Sequence, residues 1–412
     1  MTTSPAALAI AGGDPIRTEP FPSWPVFDAT EEKAILDVLH SGKWFLGERV
    51  AEFEKEFTQY CQAKHGVSVS SGTVALQVAL EAAGVSVGDE VIVPSYTFIA
   101  TASSVALVGG IPVFVDIDPN TYLIDVDAVA AVITEKTKAI IAVHIAGQPA
   151  DLDALTALAA KHDIALIEDA AQAHAAAWKG RRVGAIGDLG TFSFQASKNL
   201  NAGEGGFVVT DDDELAVRAW SIHNCGRAPG GEWYEHPLVG GNYRLTEMQG
   251  ALALSQMQRL DEQTETRTRN AALLTEQLAD VEGIRPLKVD DRVTRHAYHL
   301  YIFRYDADAF GGASREQFLK ALAAEGIPCS VGYKPLYKEP AFQARFADFP
   351  LTSPAFGGRP DYSGVHCPVT ERVCANEAVW LTQNLLLGTE SDTSQIAEAI
   401  IRIAAQPEAL AG

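Results

Sequence analysis

The chain has 412 residues, of which 47% are hydrophobic and 21% are charged, so its composition predicts a soluble globular protein large enough for two domains. Acidic residues outnumber basic ones by 53 to 32, and the net charge of -21 argues against binding to a nucleic-acid backbone. No apolar run approaches the roughly 20 residues that span a bilayer, so no membrane partner is expected.

The cysteine pattern and the N-terminus indicate a cytoplasmic protein. The five cysteines are Cys61, Cys225, Cys329, Cys367 and Cys374. They are odd in number and form no CxxC pair, so neither a disulfide scaffold nor a metal site is expected. The first residues lack the basic segment and apolar run of a secretory signal.

Residues 1–30 are rich in Pro and Gly and predict an N-terminal arm, and residues 31–260 alternate helix and strand patterns. Helices are predicted at Glu31–His40, Val74–Ala83, Ile99–Val108, Asp151–His162 and Asp213–His223. Strands are predicted at Val67–Val69, Glu90–Val93, Pro112–Val115, Ala139–Val143, Ala165–Ile167, Gly190–Phe194 and Phe207–Thr210. Short apolar strands separated by helices indicate an α/β fold, a three-layer α/β/α domain with a mostly parallel central sheet.

A long helix is predicted from Thr246, where Thr-Glu-Met-Gln offers a cap, to about Val281. Residues 261–412 then predict a smaller C-terminal α+β domain. Its predicted elements are a strand at His299–Tyr305, a helix at Ser314–Glu325, a strand around Cys329–Gly332, and helices near Asn376–Leu387 and Thr393–Ala405. The Pro/Gly-rich segment Phe342–Ser363 predicts a loop.

Lys198 lies between an apolar strand and the Gly-rich turn Gly203–Gly206. Partial burial lowers the pKa of a lysine amine toward its nucleophilic form, and such an amine can form a Schiff base with a carbonyl cofactor. A lone lysine between strands is more often solvated. Asp169 ends a buried strand, where ligands of open α/β sheets bind, and could pair with a protonated ring nitrogen, although a cap or ion pair is commoner. By strand alternation Glu168 should point the other way.

Three further segments could contribute to the same site. Ser70–Thr73 lies between a strand and a helix, as an anion site or as a simple helix cap. Pro94–Phe98 forms another strand-to-helix turn whose aromatic residue could stack on a planar cofactor or pack in the core. Ser193, five residues before Lys198, could reach a phosphate.

With these segments the chain resembles the DegT/DnrJ/StrS family of sugar and cyclitol aminotransferases of fold type I, which serve amino sugar and antibiotic biosynthesis. The matching segments are SSGTVALQVAL, GDEVIVPSYTFIATASSV, IEDAAQAH, SFQASKNLNAGEGG and GGNYRLTEMQGA. The resemblance implies pyridoxal 5'-phosphate as cofactor. It gives Lys198 the roles of Schiff-base lysine and proton shuttle, pairs Asp169 with the pyridine nitrogen, places Gln172 on the ring hydroxyl and stacks Phe98 on the ring.

The resemblance also implies how the phosphate is bound and how the chains associate. Gly72, Thr73 and Ser193 would hold the phosphate of their own subunit. Asn242 would reach the phosphate of the neighbouring subunit, which makes a homodimer the minimum active unit. Because position 198 is lysine rather than histidine, the family's dehydratase branch is disfavoured.

The substrate is less constrained by sequence. Gly12–Arg17 and Pro22–Pro25 resemble the branch that acts on keto-cyclitols such as scyllo-inosose, with a nucleotide-linked keto-sugar as the alternative and glutamine or glutamate as amino donor. The candidates for substrate contact are Arg244, Tyr333, Lys334 and Tyr337. Structural roles are favoured for His174 and Glu204, and for Arg244 as well.

Two other classes of protein are alternatives to the aminotransferase. A nicotinamide-dependent oxidoreductase needs G-x-G-x-x-G between a strand and a helix, and Gly184–Gly190 only approximates it without a following helix pattern. A non-catalytic sensor of the same fold is disfavoured because the catalytic residues are all in place. Absence of any half-reaction with amino donors would favour the sensor.

Overall fold

The computed structural model describes residues 7–343 and 360–411. The first six residues of the predicted arm and most of the predicted loop Phe342–Ser363, residues 344–359, lie outside this range. The helices are α1 Ala29–Ser41, α2 Glu48–Tyr60, α3 Gly72–Ala82, α4 Ala100–Leu107, α5 Val126–Val132, α6 Leu152–His162, α7 Asp213–His223, α8 Glu247–Leu278, α9 Arg315–Ala324, α10 Pro340–Gln343, α11 Pro368–Arg372 and α12 Glu390–Ala404.

The strands fall into three sheets. They are β1 His65–Val69, β2 Glu90–Pro94, β3 Ile111–Val115, β4 Thr137–Val143, β5 Ala165–Asp169, β6 Ala177–Trp178, β7 Arg181–Arg182, β8 Leu189–Ser193, β9 Gly206–Thr210, β10 Ile284–Pro286, β11 Val293–Arg295, β12 Leu300–Tyr305 and β13 Ala378–Thr382. In the described part of the chain, the main sheet has seven strands in the order β1-β9-β8-β5-β4-β2-β3. Adjacent strands in this sheet are parallel, except that β9 is antiparallel to both β8 and β1.

The main sheet is buried on both faces, as the near-continuous apolar strands predict. Along β4, Ile140 and Ala142 pack into one hydrophobic cluster, whereas Ile141 and Val143 pack into the other. Successive side chains of a strand point to opposite faces, so each cluster lies between the sheet and one layer of helices. The α/β/α prediction with a mostly parallel sheet is therefore confirmed.

Helix α8 begins with a capping box. The Thr246 side chain accepts from the backbone amide of Gln249, and the Gln249 side chain accepts from the amide of Thr246. The helix extends without a break past the predicted boundary at residue 260, toward the small antiparallel sheet β10-β12-β13. The division into residues 1–30, 31–260 and 261–412 stays a prediction.

Three local predictions in the C-terminal part are wrong. Residues Ala378–Thr382 form strand β13 rather than a helix, because this β-branched and apolar run pairs with β12, and a 3-10 turn follows. The segment Cys329–Gly332 contributes only the bridge of Ser330 to Trp380, since Gly332 turns the chain at a φ of +83°. Phe342 and Gln343 end a short helix instead of starting the loop.

The described part of the arm is attached to the C-terminal region through Glu325, which is fully buried. Its carboxylate accepts from the backbone amides of Ala9 and Ile16 and from the Arg402 guanidinium. Further along the arm, the Trp24 indole N–H donates to the Ala196 carbonyl in the turn after β8. Among the described residues, no helix combines the length and the apolar character needed to cross a membrane.

Candidate active site

A cavity of about 660 Å³ lies where the main sheet, the arm and the small sheet meet. Its floor is formed at the carboxyl ends of parallel strands, where open α/β sheets bind ligands, and it includes Asp169 at the end of β5. The residues predicted from sequence that line it are Gly72, Thr73, Phe98, Asp169, Gln172, Ser193, Lys198 and Tyr333. Glu204 also lines it. Residues distant in sequence are thus brought to one site.

Asp169 is a buried carboxylate held by two hydrogen bonds. The Thr101 hydroxyl donates to Oδ2 at 2.9 Å, and the Ala171 amide donates to Oδ1 at 3.2 Å. Burial raises the pKa of Asp169, although both hydrogen bonds and the positive charge of Lys198 oppose that rise. A cation placed against this carboxylate would therefore be bound strongly and would keep it ionised.

Lys198 is held in the turn after β8, where its backbone amide donates to the Gln195 carbonyl at 2.8 Å. Burial lowers the pKa of the Lys198 amine, and the nearby Asp169 carboxylate partly counteracts this. Of the residues described, the cavity lining contains no other lysine and no arginine. The amine is thus moved toward the neutral, nucleophilic form that was expected from sequence.

Gly72, the first residue of α3, and Ser193, the last of β8, meet closely. A Cβ atom at Gly72 would lie 2.6 Å from Cβ and 3.0 Å from Oγ of Ser193. The preceding Ser71 caps the helix by accepting from the Val74 amide at 3.2 Å. The cap leaves the first amides of α3 directed at the cavity, where the positive end of the helix favours an anion. Both the cap and the anion-site interpretations of this segment are therefore compatible.

Gln172 and Tyr333 form a polar pair on another wall. The Gln172 side chain accepts from the Ala146 amide at 2.7 Å and donates to the Tyr333 hydroxyl at 2.9 Å. Phe98 is 56% exposed, unusually high for a phenylalanine, and its ring borders the cavity. A flat ligand between Phe98 and the floor would cover this exposed ring.

Glu168 points away from the cavity, as strand alternation predicts. It is fully buried and accepts from the amides of Gly184, Ile186 and Gly187. His144 accepts from the Ala150 amide through Nδ1, so its Nε2 donates to Glu168 at 3.0 Å. Burial alone would raise the pKa of Glu168, but these hydrogen bonds lower it.

His174 lies beneath the floor rather than in the cavity. It is fully buried, and its ring lies 5.6 Å from that of Phe192 and 5.8 Å from that of Phe194. Burial lowers the pKa of His174 to about 3. The packing is consistent with the structural role favoured from sequence.

Four predicted residues do not line the cavity of their own chain. Asn242 is exposed, and Arg244 donates to the side chain of Asn224 at 2.9 Å. Lys334 precedes the buried Tyr337, whose hydroxyl donates to Glu371 at 2.5 Å. The structure therefore offers no contact between a ligand in this cavity and Lys334, Tyr337 or Arg244 of the same chain.

Several lining residues were missed by sequence reasoning. They are Trp24, Thr101, His299, Trp380, Gln383 and Asn384. Thr101 could have been found, because it follows Phe98 by one helical turn. Trp24 reaches the lysine turn by donating its indole N–H to the Ala196 carbonyl at 2.9 Å. No local pattern marks the remainder, which come from a distant part of the chain.

The donors at this site fit a phosphorylated pyridine aldehyde. One cavity contains an amine with a lowered pKa and a buried carboxylate with room for a cation. It also contains Gly72, where an added Cβ would close the anion cradle. In the described ranges, no cluster of His, Cys, Asp and Glu side chains is arranged to hold a metal ion. Fold and site together define an aminotransferase of fold type I.

The chain belongs to the DegT/DnrJ/EryC1/StrS aminotransferase family, whose model matches residues 25–358. Members of this family depend on pyridoxal phosphate. Among solved structures, 3-amino-5-hydroxybenzoic acid synthase superposes with a TM-score of 0.84 at 34% identity, covering 96% of this chain and all of that chain (100%). The prediction of family and enzyme class is confirmed.

Two curated relatives from Streptoalloteichus tenebrarius are similar over nearly their whole length. A putative L-glutamine:3-amino-2,3-dideoxy-scyllo-inosose aminotransferase is 43% identical, covering 98% of this chain and 99% of the relative. An L-glutamine:2-deoxy-scyllo-inosose aminotransferase is 41% identical, covering 97% and 98%. The chain is thus similar to enzymes named for keto-cyclitol substrates.

Proposed function

We propose that this protein uses pyridoxal phosphate to transfer the amino group of glutamine to a keto-cyclitol of the scyllo-inosose type. The observation that carries the proposal is the presence of Lys198 and Asp169 in one cavity of a chain that is 41–43% identical to aminotransferases named for that donor and those acceptors. When bound, the cofactor would supply an electron sink for transamination.

Each half of the reaction moves a proton between two carbon atoms. The Lys198 amine, made available by its lowered pKa, accepts and returns that proton. Asp169 keeps the pyridine nitrogen protonated, since an ionised carboxylate that accepts from Thr101 attracts a cation. These two side chains supply the base and the electrostatic control.

The other predicted residues would bind and orient the cofactor. The first amides of α3, with Thr73 and Ser193, would hold the phosphate, and the absence of a Cβ at Gly72 lets α3 and Ser193 approach closely. Phe98 would cover one face of the cofactor ring. Gln172 keeps a second amide hydrogen for the ring hydroxyl after donating to Tyr333.

We propose a homodimer in which Asn242 reaches the phosphate of the partner subunit. Asn242 lies outside the cavity of its own chain and is exposed. Near it, Phe45 lies under the Arg244 guanidinium and is 58% exposed, next to Trp44 at 52%. An apolar surface of this kind beside a residue assigned to a ligand fits a subunit interface.

The few charges in the cavity lining favour an uncharged polyol over a nucleotide-linked sugar as the acceptor. The lining side chains that bear charge in the described residues are Asp169, Lys198 and Glu204. A nucleoside diphosphate would need cationic side chains for its phosphates, and this lining offers none beyond the catalytic lysine.

The test is an absorbance spectrum of the purified protein with pyridoxal phosphate, before and after glutamine is added. We expect a visible band of bound cofactor that glutamine bleaches and 2-deoxy-scyllo-inosose restores. Lys198→Ala should lose both the band and the response, whereas Lys161→Ala, at an exposed position of α6, should keep both. A band that persists in Lys198→Ala would refute the site, and a band that no amino donor changes would favour the sensor.

A further inference from the structure

His299 is a lining residue that the proposed function does not use. It directly precedes β12, its side chain is 7% exposed, and it borders the same cavity as Lys198. A histidine in such a position can act as an acid, a base or a fixed hydrogen-bonding group. Its neighbours determine which of these roles it can take.

The protonation of the ring follows from Asn199, the residue after the catalytic lysine. The Asn199 amide nitrogen donates to the Ala297 carbonyl at 2.7 Å, which can only accept. The Asn199 side-chain oxygen is therefore the atom that lies 3.1 Å from Nδ1 of His299. Because that oxygen also only accepts, Nδ1 carries the hydrogen, and Nε2 of the neutral ring presents a lone pair.

The surroundings keep the ring neutral. Burial lowers the pKa of His299 well below its ordinary 6.5, and Lys198, His174 and Arg267 act in the same direction. Arg267 is fully buried, and its Nε donates to the side chain of Gln383 at 2.8 Å. Within the described residues, no carboxylate forms an ion pair with Arg267, so its charge is not neutralised locally.

His299 shares the cavity lining with neutral polar and aromatic side chains. Gln383 and Asn384 follow β13, and Trp24 enters from the arm with the Arg267 guanidinium 5.3 Å from its ring centroid. Asn384 ties the two segments together by donating to the Pro22 carbonyl at 2.8 Å. An aromatic face beside amides suits a ring that carries C–H bonds and hydroxyl groups.

We propose that Nε2 of His299 accepts a hydrogen bond from a hydroxyl group of the acceptor ring and thereby selects polyhydroxylated acceptors. With Nδ1 engaged by Asn199, Nε2 is the remaining polar atom that the ring can offer to the cavity. The inference rests on the proposed function, because it assigns His299 to the acceptor of that reaction. The proposal assigns this hydrogen bond to the acceptor alone, so the half-reaction with the amino donor should not depend on it.

The discriminating variant is His299→Asn. Asparagine reproduces the Nδ1 donor that contacts Asn199 but removes the acceptor at the Nε2 position. We expect the half-reaction with glutamine to change by less than about twofold. The half-reaction with 2-deoxy-scyllo-inosose should lose about ten- to a hundredfold in kcat/KM, chiefly through KM. His299→Gln, which can place an oxygen near the Nε2 position, should recover part of this loss.

Equal losses in both half-reactions would show that His299 only positions the lysine turn, and would overturn the proposal. Unchanged kinetics would overturn it as well. A series of acceptors that each lack one hydroxyl gives a test on the wild-type protein. With one of these analogues, the wild-type protein should lose about as much kcat/KM as His299→Asn loses with the full acceptor. His299→Asn should show no additional loss with that analogue.

A measurement without turnover separates this proposal from the proposed function. In the holoenzyme labelled with 15N-histidine, the resonances missing from His299→Gln identify His299. We expect a neutral ring protonated on Nδ1 at pH 7, with the Nε2 signal shifting when 2-deoxy-scyllo-inosose is added. A charged ring, an Nε2-protonated ring or an unshifted Nε2 would refute the role of His299 whether or not transamination occurs.

Discussion

Thr101 and Asp169 are joined by a buried hydrogen bond of 2.9 Å in which the threonine hydroxyl is the donor. The Thr97 hydroxyl lies 3.1 Å from that of Thr101 and donates to it, since the hydrogen of Thr101 is engaged by the carboxylate. The hydroxyl groups of Thr97 and Thr101 thus stabilise the charged form of Asp169, a carboxylate that burial would otherwise neutralise.

Replacement of this donor should change the pH dependence of activity. Thr101→Val removes a hydrogen bond to the ionised form, so the pKa of Asp169 rises and the acid limb of kcat/KM moves to higher pH. We expect activity at pH 7 to fall roughly tenfold, the value of one hydrogen bond to a charged group. Thr101→Ser keeps the donor and should follow the wild-type profile. An unshifted acid limb in Thr101→Val would contradict the assignment of Asp169.

The cradle between α3 and β8 predicts a loss of cofactor affinity in Gly72→Ala. The new methyl group would lie 2.6 Å from Cβ of Ser193, so the cradle must open or the phosphate must move. We expect affinity for pyridoxal phosphate, measured by equilibrium dialysis, to fall about tenfold or more. Gly364→Ala, where an added Cβ meets no atom within 4 Å, is the matched control. Equal affinities of the two variants would show that the phosphate binds elsewhere.

The proposed shared-site homodimer predicts complementation between two inactive variants. Lys198→Ala lacks the base, and in the proposed dimer Asn242→Asp would place a negative charge at the partner's phosphate. A mixed dimer has one site with both changes and one with neither, so it should have about half of the wild-type activity. Lys198→Ala mixed with Gly72→Ala should show no activity above that of the Gly72→Ala dimer alone, because both changes affect the cavity of their own chain. No recovery in the first mixture would place Asn242 outside the partner's site.

The burial and hydrogen bonds of Glu168 predict that the stability of the fold decreases at acidic pH. Its pKa in the folded protein is lowered from the ordinary 4.5, so its contribution to stability is present above that value and is lost as the pH falls through the folded pKa. Glu168→Gln should lower the free energy of unfolding at pH 7 by roughly 3 kcal/mol, with a difference that shrinks below pH ~4.5. Urea unfolding at several pH values measures this. Glu316→Gln, at an exposed position of α9, should be neutral, and a pH-independent difference for Glu168→Gln would contradict the charge-based explanation.

The sequence by itself determined the seven strands of the main sheet and most of its helices, because their apolar periodicity and capping residues act locally, although it gave no helix at α2 or α5. The capping box at Thr246 and the alternation of Glu168 and Asp169 are examples that the structure confirms. The motifs around Lys198 identified the family for the same reason, since each motif is a continuous segment. Where pairing with a distant strand determines conformation, as at Ala378–Thr382, local pattern gave the wrong element.

Only the tertiary structure decided which distant residues complete the cavity. Trp24 lies on the arm that Glu325 binds, and His299 and Gln383 lie on segments that flank the small sheet β10-β12-β13. The protonation of His299 depends on the positions of Asn199 and Ala297, which no spacing rule contains. Local periodicity reports burial and conformation, whereas the direction of a hydrogen bond depends on atoms that folding alone brings together.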